Sequence, residues 1–172
     1  MSFIDLVKER HSVRSFDEQK VEKEKINIIL EAGRLAPTAA NLQPQRILVI
    51  ESNEAVAKLK DCTIFSFNAP MALIVCADKN EAWKRKYDEK IHTDIDGSIV
   101  ATHMMLQAAE LGLGTTWVGH FDPEAVIKAF NIPENLVPVC IFPLGYPSAD
   151  SKPHPNHEKR KSLSETVFYN KF

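Results

Sequence analysis

No run of apolar residues in the 172-residue chain is long enough to span a bilayer. Asp5, Lys8 and Glu9 break up the N-terminal stretch, so no signal peptide is expected there. Net charge is only −2, which disfavours a general grip on nucleic acid and requires any anion site to be local. The three cysteines, Cys62, Cys76 and Cys140, are odd in number and lack metal-type spacing. Cys76 and Cys140 fall inside strand-like runs, where a buried thiol is the default. His154 and His157 stand three apart in a proline-broken stretch without a Cys or carboxylate at ligand spacing, so no metal site is expected. The chain has no Gly-x-Ser-x-Gly elbow and no Walker loop. Gly112, Gly114 and Gly119 follow a helix, whereas the glycines of the dinucleotide fingerprint stand between a strand and the next helix. Neither internal repeats nor low-complexity tracts occur. What remains is a cytoplasmic, single-domain protein with a real core, acting on neither membranes nor nucleic acid.

Local patterns place the elements. Ser2 caps a short helix to about Arg10, and Lys20 to Ala36 carries an apolar stripe through Val21, Ile26, Ile29 and Leu30. Arg46–Ile50 and Met71–Ala77 read as buried strands, and Asn53 as the cap of a helix to about Cys62. Lys79 to Lys90 is charged. Trp83 and Tyr87 would share one face of a helix there, either covering a pocket or forming the apolar side of a surface helix. Asp94 to Leu111 is apolar around most of its circumference and should be buried nearly all round. Its small stripe, Gly97, Ala101, Met105 and Ala109, favours close packing on another helix, with a second copy of the chain as one candidate. Gly112 ends that helix, and Leu113 to Val118 is a short strand. Asp122 and Pro123 open a helix to Phe130, and Leu136 to Tyr146 is a strand broken near Pro138 or Pro143. Residues 1–146 thus form the body and 147–172 an arm, polar to Lys161 and ending in an aromatic stretch from Thr166.

Arg10-His11-Ser12-Val13-Arg14 sets two guanidiniums around a hydroxyl. Arg10, Ser12 and Arg14 share a face in an extended segment, an arrangement that suits a phosphate; a solvated basic surface is the alternative. Pro37 to Pro44 combines small residues with Asn41 and Gln43, a composition that fits either a flat ligand or a plain helix-to-strand connector.

Taken in order, several motifs resemble the FMN-dependent nitroreductase family. They are Arg10-His11-Ser12-x-Arg14-x-Phe16, Ala36-Pro37-Thr38-x-x-Asn41-x-Gln43-Pro44, Glu110-Leu111-Gly112-Leu113-Gly114-Thr115-x-Trp117-x-Gly119, and Leu144-Gly145-Tyr146-Pro147 with the late Lys159-Arg160. The resemblance covers nearly the whole chain. It implies an α+β fold of three α-β-α layers around a mixed, mainly antiparallel sheet, in a homodimer with FMN at the interface and the C-terminal arm extending onto the partner subunit. The implied FMN-binding residues are Arg10, His11, Ser12, Arg14, Pro37, Thr38, Ala39, Asn41, Val118, Gly119, His120, Lys159 and Arg160.

Within that set, Arg10, Ser12 and Arg160 would hold the phosphate, with Lys159 or Lys161 as a second late cation. Arg14 would face the N1–C2 oxygen edge of the flavin, where a cation stabilises the reduced form. Pro37, Thr38, Ala39 and Asn41 would come from the other subunit. Val118 and Gly119 would lie along the ring, while His120 would either donate to a bound substrate or serve the structure. The family's usual aromatic after Gln-Pro is replaced by Gln45, and the shorter chain leaves Asn80 to Thr93 as the cover of the pocket. The implied reaction is ping-pong: NADH or NADPH delivers hydride to FMN, and a nitroaromatic, quinone or similar small acceptor then takes it. Another flavin reaction on the same fold, or a non-catalytic flavin-binding regulatory module, is the alternative.

Overall fold

Alternation along one strand sets the layering. In the computed structural model, which describes residues 2–172, the strands β1 (Gln45–Ile50), β2 (Met71–Asp78), β3 (Gly114–Thr115) and β4 (Leu136–Gly145) form an antiparallel sheet in the order β1-β2-β4-β3. Met71, Leu73 and Val75 face one core, shared with Val100, Ala101 and Met104. Ala72, Ile74 and Cys76 face the other, shared with Leu59, Val126 and Ile132. Side chains of a strand point alternately to its two faces. With both faces covered, all 8 residues of β2 are buried.

The helices α1 (Phe3–Glu9), α2 (Lys23–Leu35), α3 (Asn53–Lys60), α4 (Thr93–Glu110), α5 (Pro123–Phe130) and α6 (Leu163–Thr166) complete the chain. α2 and α4 cover the first core, α3 and α5 the second. The fold is therefore α+β in three layers, as expected. Among the described residues, parallel pairing is limited to an isolated bridge between Ser12 and Thr115. Among the described residues no helix is long and apolar enough to cross a membrane.

Local chemistry accounts for several helix ends. Ser2 and Asp5 form a reciprocal capping box, and Asp122 accepts from the Glu124 and Ala125 N–H groups ahead of α5. Such caps each contribute about 1 kcal/mol. Gly112 takes φ +76° just beyond α4, a conformation that favours glycine.

Several expectations need correcting. α2 begins at Lys23 rather than Lys20, and α3 is capped by Ser52, not Asn53, because the Ser52 hydroxyl accepts the Ala55 N–H at 3.2 Å. Lys79 to Lys90 is not helical. A bridge pairs Lys84 with Ile91, the Trp83 ring packs edge-on to His92 at 4.6 Å, and Tyr87 is fully exposed. β3 is two residues long, and Val118 makes only an isolated bridge to Ile141. β4 is continuous through both prolines. The register instead shifts once, where Val75 and Cys76 face Cys140 and Pro138, and this irregularity accommodates the missing donor.

α4 is not buried all round, since Asp94, Ile95, Thr102 and His103 are exposed. In its small stripe Gly97 packs on the sheet of its own chain, where an added Cβ would lie 2.7 Å from Val139 of β4, and Ala101 is buried, while Met105 and Ala109 are half-buried.

Candidate functional site

The segment from Arg10 to Arg14 is fastened to β3. Val13 N–H donates to the Thr115 carbonyl at 3.0 Å, and the Thr116 hydroxyl donates to the Val13 carbonyl. Val13 is buried and sits directly on Gly114, where an added Cβ would come within 2.7 Å of its side chain. Glycine at 114 thus permits the close approach. Val13 turns inward, so its neighbours Ser12 and Arg14 are directed elsewhere.

The C-terminal arm meets this segment. β4 hands over at Tyr146, whose carbonyl accepts from Asp17 N–H at 2.8 Å, and Ser148 N–H donates to Ser15 at 3.0 Å. Lys25 Nζ braces the junction by donating to the Tyr146 hydroxyl at 2.8 Å and the Leu111 carbonyl at 3.1 Å. Further on, the arm closes a cleft of about 370 Å³ lined by Arg10, His11, Ser12, Arg14, His154, Asn156, His157 and Arg160. The structure therefore brings together five of the residues named from sequence, drawn from opposite ends of the chain.

Pairing distinguishes the arginines of this cleft from the others. Arg34, Arg46 and Arg85 each pair with a carboxylate, at 2.7, 2.6 and 2.5 Å. Arg10, Arg14 and Arg160 have no carboxylate within pairing distance among the described residues. Burial and then the like charge of Arg160 hold the Arg10 guanidinium below its ordinary pKa. Arg14 and Arg160 spend one donor each on nearby carbonyls, Ser12 at 3.3 Å and Lys159 at 2.9 Å. Three guanidiniums and a hydroxyl with no protein anion among them have the charge and the donors that suit an anion such as a phosphate monoester.

Lys159 lies outside the cleft. It is exposed and lines a shallower depression with Glu158, Arg160, Lys161 and Glu165.

The small-residue loop stands apart from the cleft within one chain. Ala40, Asn41 and Gln43 all have positive φ, at 51°, 55° and 52°, a conformation unfavourable for residues with a Cβ. Two side chains hold it. Thr38 Oγ1 accepts the Gln43 N–H at 3.0 Å, and Asp96 Oδ1 accepts the Ala39 N–H at 3.0 Å. Asp96 is 1% exposed, and among the described residues its Oδ2 has no hydrogen-bond partner. Sequence reading missed this carboxylate; a lone Asp on the inner side of an otherwise apolar helix was the available signal.

Val118, Gly119 and His120 follow β3. Val118 exchanges two 3.0 Å backbone hydrogen bonds with Ile141 and is buried. Gly119 is exposed, lacks a positive φ, and an added Cβ would meet nothing within 4 Å. Nothing in the chain's own packing therefore needs a glycine there. The His120 carbonyl accepts the Thr63 hydroxyl at 2.7 Å, and its ring meets Phe65 edge-on at 5.5 Å. From Thr115, beside the arginines, to Gly119 the chain can reach at most about 14 Å.

A cavity of about 630 Å³ lies between the starts of α2, α3 and β2 and shares no residue with the arginine cleft. It contains Glu18, Glu51, Lys20 and Lys60 on open walls, without a comparable imbalance of charge. All three cysteines are free and buried. Burial pushes the Cys76 thiol up to about 11 and Cys140 higher still, so neither is a nucleophile at neutral pH.

Similarity to known proteins identifies the family. The nitroreductase family model matches residues 7–64 and 64–146. A solved nitroreductase family protein from Clostridium difficile superimposes with a TM-score of 0.94 at 45% identity, covering 100% of both chains. A solved FMN-dependent nitroreductase from the same species superimposes with a TM-score of 0.76 at 27% identity, over 99% of this chain and 100% of that one. A Methanothermobacter thermautotrophicus protein, provisionally named an NADH dehydrogenase/NAD(P)H nitroreductase, is 31% identical over 157 residues, 86% of this chain and 78% of its own length. The chain belongs to the nitroreductase family and is an oxidoreductase of nitroreductase type.

Proposed function

We propose that this chain binds FMN and works as a homodimer, taking hydride from NADH or NADPH and passing it to a small oxidant such as a nitroaromatic or quinone. One observation carries the reading: three of the chain's arginines converge on one cleft without a carboxylate, while the other three are each paired. FMN, when bound, would supply the hydride acceptor and donor. The names of an FMN-dependent nitroreductase and of an FMN reductase among the similar proteins support the same cofactor.

The residues divide the work. Arg10, Ser12 and Arg160 bind the phosphate, with His11 beside them, and the exposed Lys159 adds positive charge nearby. Arg14, at the other end of the segment, serves the ring. Val118 is locked to Ile141 and holds the following backbone rigid, while Gly119 leaves room for a flat group. His120 presents a ring next to Phe65 at the edge of that space. The loop with Pro37, Thr38, Ala39 and Asn41 completes the site from the second copy. It is prearranged by Asp96 and Thr38, and does not line the arginine cleft of its own chain. Exposed Phe168, Tyr169 and Phe172 at the end of the arm offer the apolar surface that a second copy would cover.

Steady-state kinetics of FMN-loaded protein test the reading. Oxidation of NADH or NADPH by a quinone or nitroaromatic should give parallel double-reciprocal lines, the pattern of a site visited alternately by donor and acceptor. FMN retained without turnover by any such acceptor would identify a binding module instead.

A further inference from the structure

Beyond Ser151 the chain is exposed almost throughout. From Lys152 to Phe172 every residue is exposed except His157, which is half-buried. Its Nε2–H donates to the Lys8 carbonyl, in the last turn of α1, at 3.0 Å. Among the described residues this is the one hydrogen bond joining that stretch to the rest of the chain. The His157 ring meets His11 edge-on, with centroids 5.9 Å apart and planes at 65°. His11 is itself fixed, its Nδ1–H donating to the Glu9 carbonyl at 3.1 Å. Two imidazoles thus donate to successive carbonyls at the end of α1.

Arg160 follows three residues later, and nothing electrostatic draws it in. It has no carboxylate partner, its one hydrogen bond goes to its neighbour Lys159, and its charge opposes that of Arg10. A flexible arm would carry Arg160 away from Arg10 rather than toward it. The turns around His157 remove that freedom. His157 N–H donates to the His154 carbonyl at 2.7 Å, Asn156 N–H to His154 Nδ1 at 3.1 Å, and Lys159 N–H to the Asn156 carbonyl at 3.2 Å. Once His157 is docked, Arg160 has little slack.

We infer that His157 is a positioning residue, a latch that ties the arm to the end of α1 and so holds Arg160 in its own chain's phosphate cleft opposite Arg10. The inference rests on reading that cleft as the FMN phosphate site. His157 itself carries no obligatory charge in this role, because Nε2–H donates to a carbonyl in either protonation state.

FMN titrations of the full-length apo-protein by fluorescence quenching test it, using His157→Ala, His157→Gln, Arg160→Ala and the double variant His157→Ala/Arg160→Ala. Loss of the latch should weaken FMN binding by about threefold to tenfold. Gln, which can still donate to the Lys8 carbonyl, should recover most of that loss. The double variant should bind no more weakly than Arg160→Ala, because His157 acts through Arg160. Independent, multiplying losses, or wild-type affinity in His157→Ala, would overturn the latch. Tryptic cleavage after Lys159, Arg160 and Lys161 provides a readout without FMN. The latch requires faster cleavage in the His157→Ala apo-protein, and an unchanged rate refutes it. Unchanged FMN affinity in Arg160→Ala would instead overturn the phosphate reading, leaving cleavage to decide the latch.

Discussion

Arg10 and Arg160 stand as like charges at the wall of one cleft, and the second holds the pKa of the first down in addition to the effect of burial. A folded chain that keeps two guanidiniums together without a carboxylate is less stable than it could be until an anion arrives. Arg160→Gln should therefore leave the apo-protein's Tm unchanged or raise it, while removing much of the stabilisation that FMN confers. Thermal unfolding with and without FMN separates the two effects. A fall in apo Tm would show that Arg160 serves the fold.

Gly119 gives the complementary case, a residue whose smallness the chain does not use. A Cβ there meets nothing within 4 Å, and the backbone is not in the left-handed region. Gly119→Ala is expected to match the wild-type stability within about 0.5 kcal/mol. FMN affinity or turnover should nevertheless drop severalfold, because the added methyl would enter the space assigned to the flavin ring. Unaltered binding and turnover would remove Gly119 from the site.

Asp96 tests how the positive-φ loop is held. Asp96→Ala strips the Ala39 N–H of its acceptor, at a cost of about 1–3 kcal/mol in urea unfolding. Asp96→Asn keeps a carbonyl acceptor and removes a buried charge whose Oδ2 has no partner, so it should be the milder change. Equal losses in both would mean that the carboxylate charge, rather than the Ala39 hydrogen bond, matters.

Alkaline pH should destabilise the protein through Cys76 and Cys140. Burial raises both thiols, Cys76 from 9.0 to about 11, so above pH 9 the unfolded chain releases protons that the folded chain retains. The stabilisation is complete below the unfolded pKa and lost as pH rises through the folded one. Between pH 9 and about 11, Cys76→Ala should show a shallower decline in stability than the wild type. Identical slopes would rule out the buried thiol as the cause.

The sequence made visible what is decided within a few residues. Ser2, Gly112, and Asp122 with Pro123 mark helix ends through contacts no more than four residues away, and each lies where expected. The cleft was legible in part for another reason: Arg10, His11, Ser12, Arg14 and Arg160 lie in motifs that resemble the family's, even though they meet only in the fold. What escaped depends on distant partners. Helical spacing between Trp83 and Tyr87 loses to the Trp83–His92 ring contact and the Lys84–Ile91 bridge. Asp96 acts on a residue 57 positions away, and His157 on one 149 away. The pairing of His154 with His157 looked like a failed metal motif, because the carbonyl that His157 meets has no signature in sequence.

The relative affinity of the apo-protein for FMN and riboflavin, which differ only by the phosphate, tests the central claim most directly. Two or more charge-assisted hydrogen bonds from Arg10 and Arg160 should favour FMN on the order of a hundredfold or more. That preference should collapse in Arg10→Ala and Arg160→Ala. Equal affinity for the two flavins in the wild type would contradict the assignment of this cleft to the cofactor's phosphate.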